Sequence, residues 1–174
     1  MIVYERKIQS MRIDLKKLFA GEAESLLVED SFSMAGEEVS GAYPFVTPVQ
    51  VKARFTARSG AVQLEADVDY LYRMNCDRCA EETERRRHHT FRHMLVRSLN
   101  EEGNDDYIEV GDEPLDLEEL LHADIVLEIP SKFVCREDCK GLCPTCGANL
   151  NRVSCDCQRR QTDPRLEILK TLID

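Results

Sequence analysis

Short-spaced cysteine pairs constrain this chain more than any other feature. Two residues separate Cys76 from Cys79, and six further cysteines fall within the 23 residues from 135 to 157. Paired thiols at such spacings, on turn-forming residues, are what a closed tetrahedral metal site requires. The candidate ligands of one or two structural Zn²⁺ ions are Cys76, Cys79, Cys135, Cys139, Cys143, Cys146, Cys155 and Cys157.

The strongest of these signals is the sequence Cys143-Pro144-Thr145-Cys146-Gly147. Pro144 fixes its own φ, and Gly147 permits a main-chain conformation in which N–H groups point at thiolate sulfur. This pattern is typical of a zinc knuckle. Cys143 and Cys146 are therefore the ligands that the sequence predicts most directly.

Eight thiolates divide naturally into two tetrahedral sites. The preferred division places Cys76, Cys79, Cys135 and Cys139 in a first cysteine group, and Cys143, Cys146, Cys155 and Cys157 in a second cysteine group. The spacing between Cys155 and Cys157 is tighter than usual, so an arrangement with a single zinc ion stays open.

Three other interpretations compete with structural zinc. Cys139, Cys143 and Cys146 match the cysteine triplet of radical iron–sulfur enzymes. Enzymes of that kind are expected to need a much longer, barrel-forming chain than this one. A dithiol oxidoreductase at Cys76 and Cys79 lacks the surrounding βαβ pattern. Disulfides are disfavoured because charges interrupt the N-terminal segment where a signal peptide would be apolar, and this predicts a reducing, cytoplasmic location.

Alternating side chains predict a long antiparallel β-hairpin. Apolar residues alternate with polar ones over 49–57 and again over 62–74, with Ser59 and Gly60 as the turn. The alternation continues to Cys76, so the first cysteine pair is expected at the turn that leads into the next strand.

The remaining elements follow from shorter patterns. Asp116 and Glu119 form a capping box that begins a helix near 116–129, and Asp163-Pro164 begins a C-terminal helix with an apolar side. Further predictions are an amphipathic element at 13–19 and strands at 25–32, 83–99 and 107–110.

These elements predict an α+β fold. It consists of an antiparallel β-sheet or partly open barrel with a capping helix, a cysteine-rich zinc knuckle and a C-terminal helix. Residues 1–10 are expected to be an N-terminal extension, 11–130 a β-rich domain, and 131–174 a zinc-binding segment with the last helix. The longest apolar stretches are too short for a membrane span, so no membrane partner is expected.

Charge is unevenly distributed along the chain. The net charge of −10 argues against a generic nucleic-acid binder. Twelve acidic residues and no lysine or arginine lie between Glu101 and Glu128, whereas five arginines and no acid lie between Arg85 and Arg97. Each of the two segments would attract a partner of opposite charge.

Several motifs, spread over most of the chain, carry a resemblance to a known family. They are Ile13-Asp14-Leu15, the Cys-x-Arg-Cys turn at 76–79, the run Asp138-Cys139-Lys140-Gly141-Leu142-Cys143-Pro144-x-Cys146-Gly147-x-Asn149-Leu150-Asn151, Cys155-x-Cys157, and Asp163-Pro164-Arg165. Together they resemble the YceD family, the large ribosomal RNA subunit accumulation proteins of bacteria and plastids. The resemblance implies a non-enzymatic role in 23S ribosomal RNA accumulation and large-subunit assembly, and it carries over no catalytic residue.

The partner that this resemblance implies is a precursor of large-subunit ribosomal RNA or a pre-ribosomal particle. The predicted RNA contacts are Arg85, Arg86, Arg87, Phe91, Arg92 and Arg97, of which Phe91 would stack on a base. The alternative is a solvated strand face with Phe91 and Leu95 in the core. The acidic segment 101–128 suggests instead an adaptor or escort for a basic ribosomal protein, and the cysteines would also suit a thiol-based redox sensor.

Overall fold

The computed structural model of the chain describes the main chain of residues 2–5 and all of residues 11–98 and 107–157. Those residues fall into two compact units. The sheet unit comprises the described residues within Met1–Met74 and Glu84–Ser131, and the cysteine unit comprises those within Asn75–Thr83 and Lys132–Asp174. The predicted C-terminal helix from Asp163 lies outside the described residues.

A six-stranded sheet in the order β1-β3-β4-β5-β6-β7 is the largest element of the fold. Its strands are β1 (Ile2–Glu5), β3 (Ser25–Phe32), β4 (Val49–Arg58), β5 (Ala61–Asn75), β6 (Glu82–Val96) and β7 (Tyr107–Glu109). The two strands at the ends of the order pair in parallel, β1 with β3 and β7 with β6, so the sheet is mixed rather than purely antiparallel. As far as the described residues go, the sheet does not close into a barrel.

The predicted hairpin is confirmed. Strands β4 and β5 pair antiparallel, with Val51 opposite Val68 and Lys52 opposite Asp67. Ser59 and Gly60 form the turn with φ values of 43° and 89°, the left-handed conformation that a tight two-residue hairpin turn requires. Because side chains alternate between faces, one face of the hairpin is apolar and buried, whereas the other is charged.

The remaining elements are short. Strand β2 (Arg12–Ile13) pairs antiparallel with β8 (Leu115–Asp116), and the predicted amphipathic element contains only a four-residue helix, α1 (Lys16–Phe19). The predicted capping helix is α2 (Leu117–Leu127). No helix in the described part of the chain is both long and apolar enough to cross a membrane.

Helix α2 begins where the sequence predicts. The Asp116 side chain accepts a hydrogen bond from the Glu119 N–H at 3.1 Å, which satisfies one of the amides that the first turn leaves unpaired. Its inward side chains, Leu117, Leu121 and Ile125, are fully buried. Burying each such side chain stabilises the fold by roughly 1.5–3 kcal/mol.

Candidate metal centres

The first cysteine group is assembled from two separate parts of the cysteine unit. Cys76 and Cys79 lie in the turn between β5 and β6, and the other two members, Cys135 and Cys139, follow α2 in the chain. The Sγ atoms of Cys76 and Cys139 are 3.8 Å apart, and those of Cys79 and Cys135 are 3.7 Å apart. All four sulfurs lie within 4.8 Å of one another.

These separations fit a tetrahedral zinc site. Four sulfurs at about 2.3 Å from one ion, at tetrahedral angles, are about 3.8 Å from each other. A disulfide would instead need about 2.05 Å between sulfurs, and all eight cysteines are free thiols. The sulfurs of the first cysteine group are therefore close enough together to hold one Zn²⁺.

Main-chain hydrogen bonds hold the two parts of this group in register. The Asp77 N–H donates to the Phe133 carbonyl oxygen at 2.8 Å, and the Asp77 carboxylate accepts from the Phe133 N–H at 2.7 Å. Two residues further along, the Cys135 N–H donates to Cys76 Sγ at 3.3 Å. The segment that follows α2 is thus fastened to the cysteine turn by three hydrogen bonds that main-chain N–H groups donate.

Arg78 and Gly141 add a second attachment. One guanidinium nitrogen of Arg78, Nη1, donates to the carbonyl oxygens of Glu137 and Cys139, at 3.0 Å each. The Leu142 N–H donates to the Arg78 carbonyl oxygen at 2.9 Å. Gly141 has φ of +74°, and a Cβ at this position would lie 2.9 Å from the same carbonyl oxygen. Glycine alone adopts this left-handed φ without strain and leaves room for the Arg78 carbonyl oxygen.

The thiols of the first group differ in acidity. Burial opposes ionisation of Cys76, but N–H donors from Cys135, Cys79 and Arg78 outweigh it and lower the Cys76 pKa to about 6. Burial, followed by the neighbouring sulfurs of Cys139, Cys79 and Cys76, raises the pKa of Cys135 to about 12. Accumulating thiolates in one cluster is thus costly without a cation, and a divalent ion would offset that cost.

The second cysteine group is local in the chain. Its sulfurs, from Cys143, Cys146, Cys155 and Cys157, also lie within 4.8 Å of one another. The Cys143 carbonyl accepts from the Gly147 N–H at 2.9 Å, and the Cys143 N–H donates to the Ala148 carbonyl at 2.8 Å. Gly147 has φ of +73°, so the glycine of the predicted knuckle is required by the main chain.

The same pattern of acidity recurs in the second group. N–H donors from Cys146 and Thr145 lower the pKa of Cys143 to about 6. The neighbouring Cys146 sulfur, followed by burial, raises the pKa of Cys157 to about 12. Cys146 is exposed and Cys155 and Cys157 are half-buried, so the second group is more open to solvent than the first.

The structure groups the eight cysteines in the two sets of four that the sequence analysis preferred. The triplet that suggested an iron–sulfur cluster is divided, since Cys139 belongs to the first group and both Cys143 and Cys146 to the second. The pair proposed for a dithiol oxidoreductase, Cys76 and Cys79, shares its group with two further cysteines. Metal binding itself stays a prediction.

Five of the six residues predicted to contact RNA lie on β6, on both of its faces, and Arg97 directly follows the strand. Arg85, Arg87 and Phe91 occupy alternate, half-buried positions on one side, whereas Arg86 and Arg92 point to the exposed side. The Phe91 ring stacks on His89 with centroids 5.9 Å apart, and His89 stacks in turn on Tyr70 at 6.0 Å.

Ion pairs within the sheet unit involve Arg86, Arg92 and Arg97. The shortest N–O distances are 3.4 Å for Arg86–Asp69, 2.8 Å for Arg92–Glu65 and 3.3 Å for Arg97–Asp112. The basic segment is therefore partly neutralised by acids that come from other strands and loops.

The described part of the acidic segment has partners of its own. Asp116 caps α2, and Asp124 contacts His93 with 2.7 Å between Oδ2 and Nε2. Glu128 lies 3.7 Å from His89, and Asp112 pairs with Arg97. Residues 101–106 of this segment lie outside the described residues.

Sequence reasoning missed three residues that organise the cysteine groups: Arg78, Gly141 and Asn151. All three stand inside the motifs that carry the family resemblance, but their spacing does not reveal a role. Asn151 donates from Nδ2 to Cys139 Sγ at 3.3 Å, a contact between residues twelve apart. Only the folded arrangement of the two groups shows this contact.

The protein therefore belongs to the class that combines an open, mixed β-sheet unit with a second unit containing two four-cysteine groups. The chain belongs to the YceD family: residues 64–173 match the family model described as "Large ribosomal RNA subunit accumulation protein YceD". The family membership that the motifs predicted is therefore confirmed.

Two curated relatives carry the same description. The chain is 32% identical over 151 residues to the Arabidopsis thaliana protein "Large ribosomal RNA subunit accumulation protein YCED homolog 1, chloroplastic", covering 70% of this chain and 47% of that relative. The maize protein of the same name is 31% identical over 153 residues, with coverages of 70% and 52%. The chain thus spans about half the length of these two relatives. YlbN of Bacillus subtilis, named uncharacterized, is 25% identical over 130 residues, which cover 74% of this chain and 76% of YlbN. No solved structure matches the chain.

Proposed function

We propose that this chain is a non-enzymatic factor for the accumulation of 23S ribosomal RNA and for assembly of the large ribosomal subunit. The observation that carries the proposal is the family match over 64–173, together with two relatives whose names state large ribosomal RNA subunit accumulation. Its partner is then a precursor of large-subunit ribosomal RNA or a pre-ribosomal particle, in the cytoplasm.

Two structural Zn²⁺ ions are part of this proposal. The sulfur separations of the first cysteine group and the clustering of the second within 4.8 Å support it. Four thiolates complete a tetrahedral shell and leave no position for a substrate, which favours a structural over a catalytic metal. Zinc ligation of this kind contributes on the order of 10 kcal/mol to folding.

Contact with RNA is proposed for Arg85, Arg86, Arg87, Phe91, Arg92 and Arg97. The ion pairs of Arg86, Arg92 and Arg97 do not prevent it, because an exposed pair is worth only about 0–1 kcal/mol. A phosphate can therefore replace the carboxylate while the main chain of the arginine stays where it is.

The experiment is depletion of the protein in its own cells, followed by measurement of the ratio of 23S to 16S ribosomal RNA. The proposal predicts a lowered ratio that the wild-type chain restores. A variant with Arg85, Arg86 and Arg87 changed to Glu should restore it poorly. A matched control changes the exposed β4 residues Lys52 and Arg54 to Glu and should restore it. An unchanged ratio after depletion would refute the function, and full rescue by the triple variant would refute the RNA contact.

A further inference from the structure

The side-chain amide of Asn151 uses its full hydrogen-bonding capacity within the cysteine unit. Nδ2 donates to Cys139 Sγ at 3.3 Å and to Asn149 Oδ1 at 3.0 Å. Oδ1 accepts from the Lys140 N–H at 2.8 Å and from Arg136 Nη2 at 2.9 Å. Because a main-chain N–H and a guanidinium only donate, the oxygen must face them, and the amide nitrogen must face the sulfur.

Asn151 belongs to the loop that carries the second cysteine group. It stands between Cys146 and Cys155 in the chain, so two ligands of that group lie before it and two after. The loop is fixed locally, since the Leu150 N–H donates to the Gly141 carbonyl at 2.9 Å and the Asn151 N–H donates to Asn149 Oδ1 at 2.9 Å. A side chain of the loop that carries the second group thus touches a ligand of the first.

We propose that Asn151 is a positioning residue that couples metal binding at the two cysteine groups. This inference rests on the proposed zinc sites. A metal ion in the second group orders the loop and holds the Asn151 amide against Cys139, where the donor stabilises the thiolate as a ligand. Occupancy of the second group therefore raises the affinity of the first, and the reverse effect must be equal.

The main alternative is that Asn151 only caps the Lys140 N–H and shapes the loop. Asn151→Asp separates the two roles, because a carboxylate has nearly the same shape and accepts from Lys140 and Arg136 at least as well. It cannot donate to sulfur, and it places a negative charge beside a thiolate. Because Asn151→Asp also loses the donation to Asn149 Oδ1, a role in loop shape alone predicts a similar loss of affinity at both groups. The positioning role predicts a large loss at the first group and a smaller one at the second.

The test is titration of the full chain with Co²⁺, whose thiolate absorption reports each occupied group. The second group is removed by Cys146→Ser with Cys157→Ser, and the affinity of the first group is measured with Asn151 and with Asn151→Asp. With Asn151 present, removing the second group should weaken the first about 10–100-fold, the usual effect of losing a hydrogen-bond partner of a ligand. With Asn151→Asp, the same removal should change the affinity less than about threefold. Val153→Ala, at an exposed position of the same loop, should match wild type.

A second measurement needs no cysteine substitution. Cd²⁺ bound to the intact chain gives a separate ¹¹³Cd resonance for each group, and a chelator removes the ions at measurable rates. Asn151→Asp should speed loss of the first-group resonance about 10–100-fold and change the second less. The coupling would be overturned if Cd²⁺ left the first group at the same rate in Asn151→Asp and in wild type. It would also be overturned if removing the second group weakened Co²⁺ binding at the first equally with Asn151 and with Asn151→Asp. Either result would leave the proposal of two zinc sites intact. If wild type binds no Co²⁺ through thiolates, the zinc proposal and the coupling both fail.

Discussion

Gly141 passes so close to the Arg78 carbonyl oxygen that a Cβ at position 141 would lie 2.9 Å from that oxygen. The contact joins the turn of the first cysteine pair to the segment between the two groups, next to the hydrogen bond from the Leu142 N–H to the same oxygen. The main chain around Gly141 therefore packs directly against the turn of the first cysteine pair, and a side chain at position 141 would disturb this packing.

Gly141→Ala should weaken this part of the cysteine unit. The left-handed φ costs an alanine about 1–2 kcal/mol, and the contact with Arg78 adds to that cost. We expect a lower unfolding temperature of the metal-loaded chain and weaker metal binding at the first group. The matched control is Gly21→Ala, whose φ of +73° is nearly the same but whose added Cβ meets nothing within 4 Å. Equal effects of the two substitutions would show that the contact does not matter.

Metal affinity should fall as the pH falls. The pKa of Cys76 and of Cys143 is about 6, so both are ionised at pH 7, whereas Cys135 and Cys157, at about 12, are protonated. Above pH 6, metal binding must displace the protons of the Cys135 and Cys157 thiols. Below pH 6, it must displace the protons of Cys76 and Cys143 as well. Each group should therefore lose at least about tenfold in affinity per pH unit between pH 8 and 6, and more below. Competition against a chelator of known protonation measures this, and a flat profile would contradict it.

Removal of metal should affect the two units differently. A structural zinc contributes on the order of 10 kcal/mol, comparable with the whole stability of a domain. The sheet unit has its own buried core, in which Phe55 and Leu64 are fully buried. After chelation, amide exchange should rise at Leu142 and Cys143 but stay slow at Val51 in β4. Retained protection at Leu142, with metal loss verified by elemental analysis, would contradict the account.

The cap of α2 offers a test within the sheet unit. Asp116→Ala removes the acceptor for the Glu119 N–H and should lower the free energy of unfolding by about 0.5–2 kcal/mol. Asp116→Asn keeps an oxygen at this position and should recover most of the loss. Denaturant unfolding of the metal-loaded chain measures both. If Asn fares no better than Ala, the loss arises from the charge of Asp116 beside Arg12 rather than from the cap.

Local patterns predicted much of this fold because each depends on nearby residues. The alternation in β4 and β5, the turn at Ser59-Gly60 and the cap at Asp116 are all present. The division of the cysteines also follows from spacing, since Cys143 and Cys146 need only their own loop to converge with Cys155 and Cys157. Strand β6 ends at Val96, three residues before the predicted end.

Local sequence patterns did not predict the direction of every strand or the contacts between side chains of different segments. The parallel pairing of β1 with β3, and of β7 with β6, depends on the relative direction of two strands, which alternation within each strand does not reveal. The sequence predicts RNA contacts along the arginine segment but does not reveal its ion pairs with Asp69, Glu65 and Asp112. The contact of Asn151 with Cys139 exists only once the loop has closed.

Zinc content per chain, measured by elemental analysis on protein purified without added metal, tests the central claim most directly. The account predicts two zinc ions in wild type, one after Cys76→Ser with Cys139→Ser, and one after Cys146→Ser with Cys157→Ser. Wild-type protein with no stoichiometric zinc, or with a single ion that either pair of substitutions abolishes, would contradict it.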